Sequence, residues 1–134
     1  MMIEMDIREV RSSRAPLPKG RYSQAVILGN ILYTAGQLPI DPDSGEMVRG
    51  SVAEQARRVI RNIKGILEDG GSSLEYVLKA TVYLRDVFFW EEFNRVYSEF
   101  FTGNIAPART VISGVDIHYG FDIEMEVVAC VPDL

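Results

Sequence analysis

Hydrophobic residues recur every three or four positions after Ser51, and basic residues fall between them. This spacing places the apolar side chains on one face of an α-helix. Ser51 followed three positions later by Glu54 is the capping-box pattern that starts helices, and Gly70-Gly71 is typical of a helix end. The apolar face consists of Val52, Ala56, Val59, Ile60, Ile63 and Leu67. The sequence therefore predicts an amphipathic helix between these two boundaries.

A second helical pattern follows Asp86, whose side chain can cap a first turn. Its apolar residues are Phe89, Phe93, Val96, Tyr97 and Phe100. Thr102-Gly103-Asn104 comes directly after this stripe and favours the end of the helix. We therefore expect a second, shorter amphipathic helix.

The remaining apolar segments are short or have a period of two, which is typical of β-strands. They cover residues 5–10, 25–28, 31–35, 77–84, 109–113 and 121–131, and Gly29-Asn30 predicts a tight hairpin between the second and third. In residues 77–84, the side chains expected to share one face are Leu78, Ala80, Val82 and Leu84. In the last strand, Ile123, Met125, Val127 and Ala129 are expected on one face, and Asp122, Glu124, Glu126 and Val128 on the other.

The resulting order is βββ-α-β-α-ββ without an internal repeat or a linker, which predicts a single domain over residues 1–134. Two helices and about six strands favour a two-layer α+β fold, in which a mixed sheet carries both helices on one face. The other face keeps partly apolar positions such as Val128 and Cys130. These positions predict burial against another molecule, such as a second copy of the chain.

Composition and charge narrow the function classes. The net charge of −5 argues against a nucleic-acid partner, because such binding depends on basic patches. Cys130 and His118 are the only cysteine and histidine, which are too few for a zinc site or a disulfide, so no metal is expected. No segment is apolar enough to span a membrane, and residues 1–4 lack the features of a signal peptide. We therefore expect a cytoplasmic protein with no membrane partner.

Arg109 is the most informative candidate for binding chemistry, because it follows Pro107-Ala108 at the start of a predicted strand. Proline fixes its own φ and restricts the residue before it, so the arginine enters its strand from a stiff approach. A guanidinium held in this way can form two parallel hydrogen bonds to a carboxylate. The spacing alone also allows, and by frequency favours, a surface arginine paired with an acid on a neighbouring strand.

Glu124 and Glu126 are the second candidate. They lie about 7 Å apart on one face of the last strand, and Asp122 shares that face. Three acids in a row are costly to bury unless cations or ordered water compensate them. One interpretation is a solvated or salt-bridged face. The other is that one carboxylate pairs with a site arginine and orients a water molecule for acid–base chemistry.

Four other residues give weaker indications. Tyr22 follows a loop rich in proline and glycine and suits a half-buried aromatic residue, and Asn94 lies beside the second helix stripe, where it can be solvated. His118 receives no role. Cys130 lies within an apolar strand and is expected to behave as a small hydrophobic residue. None of the four defines a site by itself.

Several short motifs, taken in order, resemble the Rid/YjgF family. They are Tyr22-Ser23-Gln24-Ala25, Gly36-Gln37-Leu38-Pro39-Ile40-Asp41-Pro42 with Gly45-Glu46, Pro107-Ala108-Arg109-Thr110 and Ile123-Glu124-Met125-Glu126. The likeness runs from about residue 20 to residue 131. It implies a chorismate-mutase-like fold and a homotrimer with sites between subunits. It also implies that 2-aminoacrylate, 2-iminopropanoate and 2-iminobutanoate are hydrolysed to 2-keto acids and ammonia without a cofactor.

The same resemblance assigns roles to five residues. Arg109 would bind the substrate carboxylate, and Glu124 would act on the attacking water. Tyr22 and Asn94 would contact the substrate, and the backbone of Gly36 would line the pocket. The resemblance thus changes the preferred interpretation of Arg109 from a surface ion pair to a binding residue.

Two departures from the family pattern bear on substrate preference. Ala35 stands where many active members have serine, and Arg21 stands where proline is usual. Three alternatives therefore stay open: a module that binds carboxylate metabolites without turnover, a deaminase of other compounds such as 2-aminomuconate, and a ribonuclease or translation inhibitor. The last of these predicts RNA affinity that falls steeply with salt.

Overall fold

The computed structural model describes residues 6–133, in which two helices pack against one face of a six-stranded sheet. The strands are β1 (Ile7–Val10), β2 (Ala25–Leu28), β3 (Ile31–Thr34), β4 (Val77–Leu84), β5 (Ala108–Ser113) and β6 (Ile123–Cys130). The helices are α1 (Val52–Asp69) and α2 (Trp90–Phe100). The strand order is β1-β2-β3-β6-β4-β5, and only β4 and β5 are parallel neighbours. The mixed α+β fold is confirmed, while residue 5 of the first predicted strand lies outside the described residues.

The boundaries of α1 follow from the capping chemistry predicted for it. The hydroxyl of Ser51 accepts a hydrogen bond from the backbone N–H of Glu54 at 3.2 Å. At the other end, Gly71 has a φ of 86°, and the N–H of Ser72 donates to the carbonyl of Leu67 at 2.7 Å. This is the Schellman arrangement, which requires a left-handed residue that glycine adopts without strain. All six apolar residues of the predicted stripe are at most 2% exposed.

The second helix begins later than predicted. Asp86 caps a 3₁₀ turn at Val87–Phe89, where its carboxylate accepts from the N–H of Phe88 at 2.8 Å, and the α-helix starts at Trp90. Phe93 and Tyr97 are buried as expected. The apolar stripe therefore packs into the hydrophobic core even though its first turn is tighter than an α-helix.

One face assignment in β4 is wrong. The alternation predicts that Leu78 and Ala80 share a face, but Leu78 is 50% exposed, whereas Ala80 and Val77 are buried. The pairing with β6 shifts register between Val77 and Lys79, which is a β-bulge. An extra residue in one strand reverses the alternation on one side of it, and local sequence does not reveal that insertion.

The sheet face opposite the helices is only partly covered by the single chain. Tyr33 is 48% exposed, and Val128 and Cys130 are half-buried. On the helix side, by contrast, the four apolar residues of β6 are at most 2% exposed, as their alternation predicts. Burial of the open face against another molecule stays a prediction.

Candidate functional site

A cavity of about 270 Å³ lies where three segments of the chain meet. Its walls come from the loop before β2, the segment after β3 and a 3₁₀ turn at His118–Gly120 before β6. Tyr22 and Gly36, two of the predicted site residues, lie in this wall. The two are 14 positions apart in the sequence, so the fold of the loop decides that they meet.

Gln24 holds the loop before β2 in place. Its amide nitrogen donates to the carbonyls of Ser12 at 3.0 Å, Ala15 at 3.2 Å and Pro16 at 2.9 Å, and its amide oxygen accepts from the N–H of Ser12 at 2.7 Å. The side chain is only 2% exposed. One buried amide therefore supplies the hydrogen bonds that a loop without regular secondary structure would otherwise lack.

Gln24→Leu is expected to lower the free energy of unfolding by about 2–4 kcal/mol, since it leaves several buried backbone groups without partners. Urea unfolding measures the change. Asn104→Leu, at an exposed loop position, is the matched control and is expected to change stability by less than about 0.5 kcal/mol. Equal stabilities of the two variants would contradict the anchoring role of Gln24.

Tyr22 stands at the mouth of the cavity with 53% of its surface exposed. Its backbone N–H donates to the carbonyl of Gly20 at 3.0 Å, and its hydroxyl accepts from the N–H of Lys19 at 3.4 Å. The loop therefore turns back on itself and brings Lys19 and Tyr22 to the same wall.

Gly36 is fixed against Glu124 by backbone pairing. The N–H of Gln37 donates to the carbonyl of Met125 at 2.8 Å, and the N–H of Met125 donates to the carbonyl of Gln37 at 3.2 Å. A methyl group on Gly36 would meet the carboxylate of Glu124 and displace the flexible end of that side chain. Glycine therefore allows the Glu124 carboxylate to lie against the backbone here, although its own φ is not left-handed.

Burial is the main influence on the pKa of Glu124. It raises the pKa of the carboxyl, the charge of Glu126 raises it further, and His118 lowers it. Glu124 lies behind Gly36 and borders a separate groove of about 180 Å³ on the side away from the helices, together with Tyr83 and Glu126. A carboxyl group with a raised pKa is a stronger base than an ordinary glutamate, which suits acid–base chemistry.

The predicted row of three acids is wrong for Asp122. Its carboxylate accepts from Gln55 of α1 at 3.0 Å and from Arg85 at 2.8 Å, so it is tied to neighbouring elements before β6 begins. Glu126 accepts from the hydroxyl of Tyr83 at 2.7 Å. This leaves Glu124 as the acid of the row that has no hydrogen-bond donor from the described residues.

Arg109, a residue of β5, is half-buried against α2. Its guanidinium donates to the side-chain oxygen of Asn94 at 2.8 Å and lies 4.6 Å from the ring centroid of Tyr97. The rings of Trp90 and Phe93 are each 5.5 Å from it. No ion pair within residues 6–133 involves Arg109. The guanidinium is thus held in position, and its remaining N–H groups are available to an anion.

Arg109 and Glu124 lie on opposite faces of the sheet in one chain. Arg109 is in register with Ala80, which is buried on the helix side, whereas Glu124 is in register with Tyr83 on the other side. The interpretation that one carboxylate pairs with the site arginine is therefore wrong within a single chain. The structure brings together Tyr22, Gly36 and Glu124 as one group, and Arg109 with Asn94 as another.

Sequence reasoning missed most residues of the cavity wall, among them His118 and Tyr119. His118 had no assigned role, yet it lies in the wall, and its ring centroid is 3.8 Å from that of Tyr119. Tyr119 has a φ of 62°, which is uncommon outside glycine. Its carbonyl accepts from Arg49 at 2.5 Å. Only the Tyr119-Gly120 pair hinted at an irregular turn, and nothing local placed it beside Gly36.

No group of three or more His, Cys, Asp or Glu side chains within residues 6–133 is placed to hold a metal ion. No helix in the same part of the chain is long and apolar enough to cross a membrane.

The chain matches a family model described as endoribonuclease L-PSP over residues 12–131. It is 48% identical over 118 residues to a RutC family protein of Pyrococcus abyssi, covering 88% of this chain and 92% of the relative. It is 40% identical over 124 residues to the rat protein named 2-iminobutanoate/2-iminopropanoate deaminase, covering 92% and 90% of the two chains.

The fold is also similar to a solved structure. YyfA of Yersinia pestis, described as a member of the conserved Rid protein family, matches with a TM-score of 0.91 and 32% sequence identity. The match covers 94% of this chain and 100% of the YyfA chain. The likeness therefore extends over both groups of candidate site residues.

Proposed function

This chain belongs to the endoribonuclease L-PSP family, the Rid/YjgF proteins, and on that premise we propose that it hydrolyses 2-imino acids to 2-keto acids and ammonia. The observation that carries the proposal is the half-buried carboxyl of Glu124, whose pKa is raised, against a glycine in a cavity wall. An imine carbon bound beside Gly36 would lie near a carboxylate that is more basic than an ordinary glutamate. The name of the rat relative supports the same chemistry.

We propose that each site is assembled from two copies of the chain within a homotrimer. Arg109 belongs to β5, which is an edge strand, and it cannot reach the face that carries Glu124 in its own chain. The open sheet face with Tyr33 and Val128 offers the surface against which another copy would pack. The homotrimer and a cytoplasmic location both stay predictions.

In this arrangement the guanidinium of Arg109 binds the α-carboxylate of the substrate in two hydrogen bonds. Asn94 orients that guanidinium, since its side-chain oxygen already accepts one of its N–H groups. Tyr22 contacts the substrate at the mouth of the cavity, and the backbone of Gly36 lines the opening beside Glu124. Fixing the substrate at both ends supplies most of the rate enhancement, because the imine carbon is already electrophilic.

Water is the only co-reactant. Its oxygen bonds to C2 of the imine while one proton passes to Glu124, and the π electrons of the C=N bond move to nitrogen. Glu124 then returns that proton to nitrogen, takes the hydroxyl proton as the C=O bond forms, and passes it to nitrogen as the C–N bond breaks, so that ammonia leaves. One imine and one water thus become one 2-keto acid and one ammonia, with Glu124 back in its starting state.

The direct test is a coupled assay in which a dehydratase generates 2-aminoacrylate from serine. The surviving imine is trapped with semicarbazide and compared with the amount that spontaneous hydrolysis leaves. We expect the protein to accelerate the loss of the imine at catalytic concentrations. Ligand protection by a keto acid without any acceleration would instead support a metabolite-binding module.

A ribonuclease is the second candidate, because the matching family model carries that description. The net charge of −5 opposes an electrostatic hold on a phosphate backbone. A ribonuclease would bind RNA at low salt with an affinity that falls steeply as salt rises. RNA cleavage that survives unchanged in an Arg109 variant would point to a different site.

A further inference from the structure

The cavity has more room than the smallest 2-imino acids fill. Its volume of about 270 Å³ corresponds to roughly nine water molecules at ~30 Å³ each. An imine with a methyl or ethyl side chain leaves part of that space empty. A longer side chain would occupy it, so the far wall of the cavity bears on substrate choice.

Lys19 supplies a cation on that wall. Its ammonium lies 5.7 Å from the ring centroid of Tyr119, and both residues line the cavity. None of the ion pairs within residues 6–133 involves Lys19 or the nearby Arg21. Arg21 lies in a neighbouring groove that shares Gly20 and Tyr22 with the cavity. The loop therefore presents two cations without carboxylate partners.

The backbone of Lys19 and the ring of Tyr119 beside its ammonium are both held by further contacts. The backbone N–H of Lys19 donates to the hydroxyl of Tyr22. The ring of Tyr119 is fixed by a left-handed backbone, a hydrogen bond from Arg49 to its carbonyl, and contact with His118. A cation–π contact at this distance is weak, and it leaves the three N–H groups of the ammonium available to an anion.

The negative charge of Glu124 disfavours an anion at the Gly36 end of the cavity. Glu124 lies directly behind Gly36, so a second carboxylate on the substrate would be repelled from that wall. The same carboxylate would be attracted towards Lys19. The cavity is therefore polarised, with an acid at the reacting end and a cation on the loop.

From this arrangement we propose that the preferred substrates are 2-imino acids with a second, distal carboxylate, and that Lys19 binds that carboxylate. The inference rests on the proposed imine hydrolysis and names its substrate class. Lys19 here is a specificity residue and takes no part in the hydrolysis of the C=N bond.

The test compares two substrates of equal length. An amino-acid oxidase generates 2-iminoglutarate from L-glutamate and 2-iminopentanoate from L-norvaline, which differ by a distal carboxylate against a methyl group. We expect the wild type to favour the dicarboxylate in kcat/KM, and Lys19→Met to reduce this preference on the order of fivefold. Lys19→Arg should restore it, and higher salt should weaken it. Lys64→Met, an exposed lysine on α1, is the control and should leave the preference unchanged.

A calorimetric measurement separates this inference from the proposed reaction. The stable products 2-oxoglutarate and 2-oxopentanoate are titrated into the wild type and Lys19→Met. If neither imine is hydrolysed but 2-oxoglutarate binds in preference through Lys19, imine hydrolysis is wrong and the distal site stands. If the imines are hydrolysed with a preference that Lys19→Met does not change, the distal site is wrong and the hydrolysis stands. If neither keto acid binds and neither imine is hydrolysed, both are wrong.

Discussion

Arg109→Ala is expected to lower kcat/KM for imine hydrolysis by roughly 30-fold to several thousandfold, the equivalent of about 2–5 kcal/mol. The guanidinium is half-buried, oriented by Asn94 and close to the ring of Tyr97, so a substrate carboxylate would bind a group already held in position. Its loss leaves that carboxylate without a counter-charge and without the two hydrogen bonds of the guanidinium. Steady-state kinetics on 2-iminobutanoate measure the effect.

Two further variants make this result specific to the site. Arg109→Lys keeps the positive charge but lacks the planar fork, so it should recover only part of the activity. Arg61→Ala removes an exposed arginine of α1 and should retain wild-type kinetics. Activity of Arg109→Ala close to that of Arg61→Ala would refute the carboxylate-binding role.

Glu124→Gln is expected to lower kcat by about 10²- to 10⁴-fold, the usual contribution of a positioned acid–base group. Glutamine keeps the shape of the side chain against Gly36 but cannot take a proton from water. In the wild type, kcat/KM should fall at acid pH with a limb above the ordinary value of 4.5 for glutamate, because burial raises the pKa of Glu124. A variant with unaltered kcat, or a wild-type profile without this limb, would contradict the assignment.

The same variant should be more stable than the wild type at neutral pH. A raised pKa in the folded state means that folding favours the protonated carboxyl, so this contribution is present at low pH and is lost as pH rises through the folded-state pKa. Glutamine stays neutral throughout. Urea unfolding should therefore show a stability advantage for Glu124→Gln at pH 7 that disappears below the ordinary, unfolded-state pKa of 4.5. An advantage that grows towards acid pH would have the wrong sign.

The parts of the fold that local chemistry controls could be predicted from the sequence. Ser51 marks the start of α1, and the glycine pair after Asp69 marks its end, because capping needs only neighbouring backbone groups. The alternation of β6 identified its buried face because one side of that strand packs on the helices. In both cases the determining contacts lie close in sequence or repeat along one element.

The parts that depend on distant contacts could not be predicted. The bulge in β4 moved Leu78 to the surface, since register is decided by the partner strand. The separation of Arg109 from Glu124 depends on which strands become neighbours and in which direction they run. The place of His118 in the cavity wall likewise follows from the turn before β6. A sequence pattern contains these residues but not their relative positions.

The central claim is that the arginine and the acid of one site come from different copies of the chain. It is tested by mixing Arg109→Ala with Glu124→Gln in equal amounts, unfolding and refolding them together, and measuring imine hydrolysis. If subunits combine at random, about a quarter of the sites receive both native residues, so the mixture should recover about a quarter of wild-type activity although each variant alone is almost inactive. A refolded mixture no more active than the two variants separately would contradict the claim.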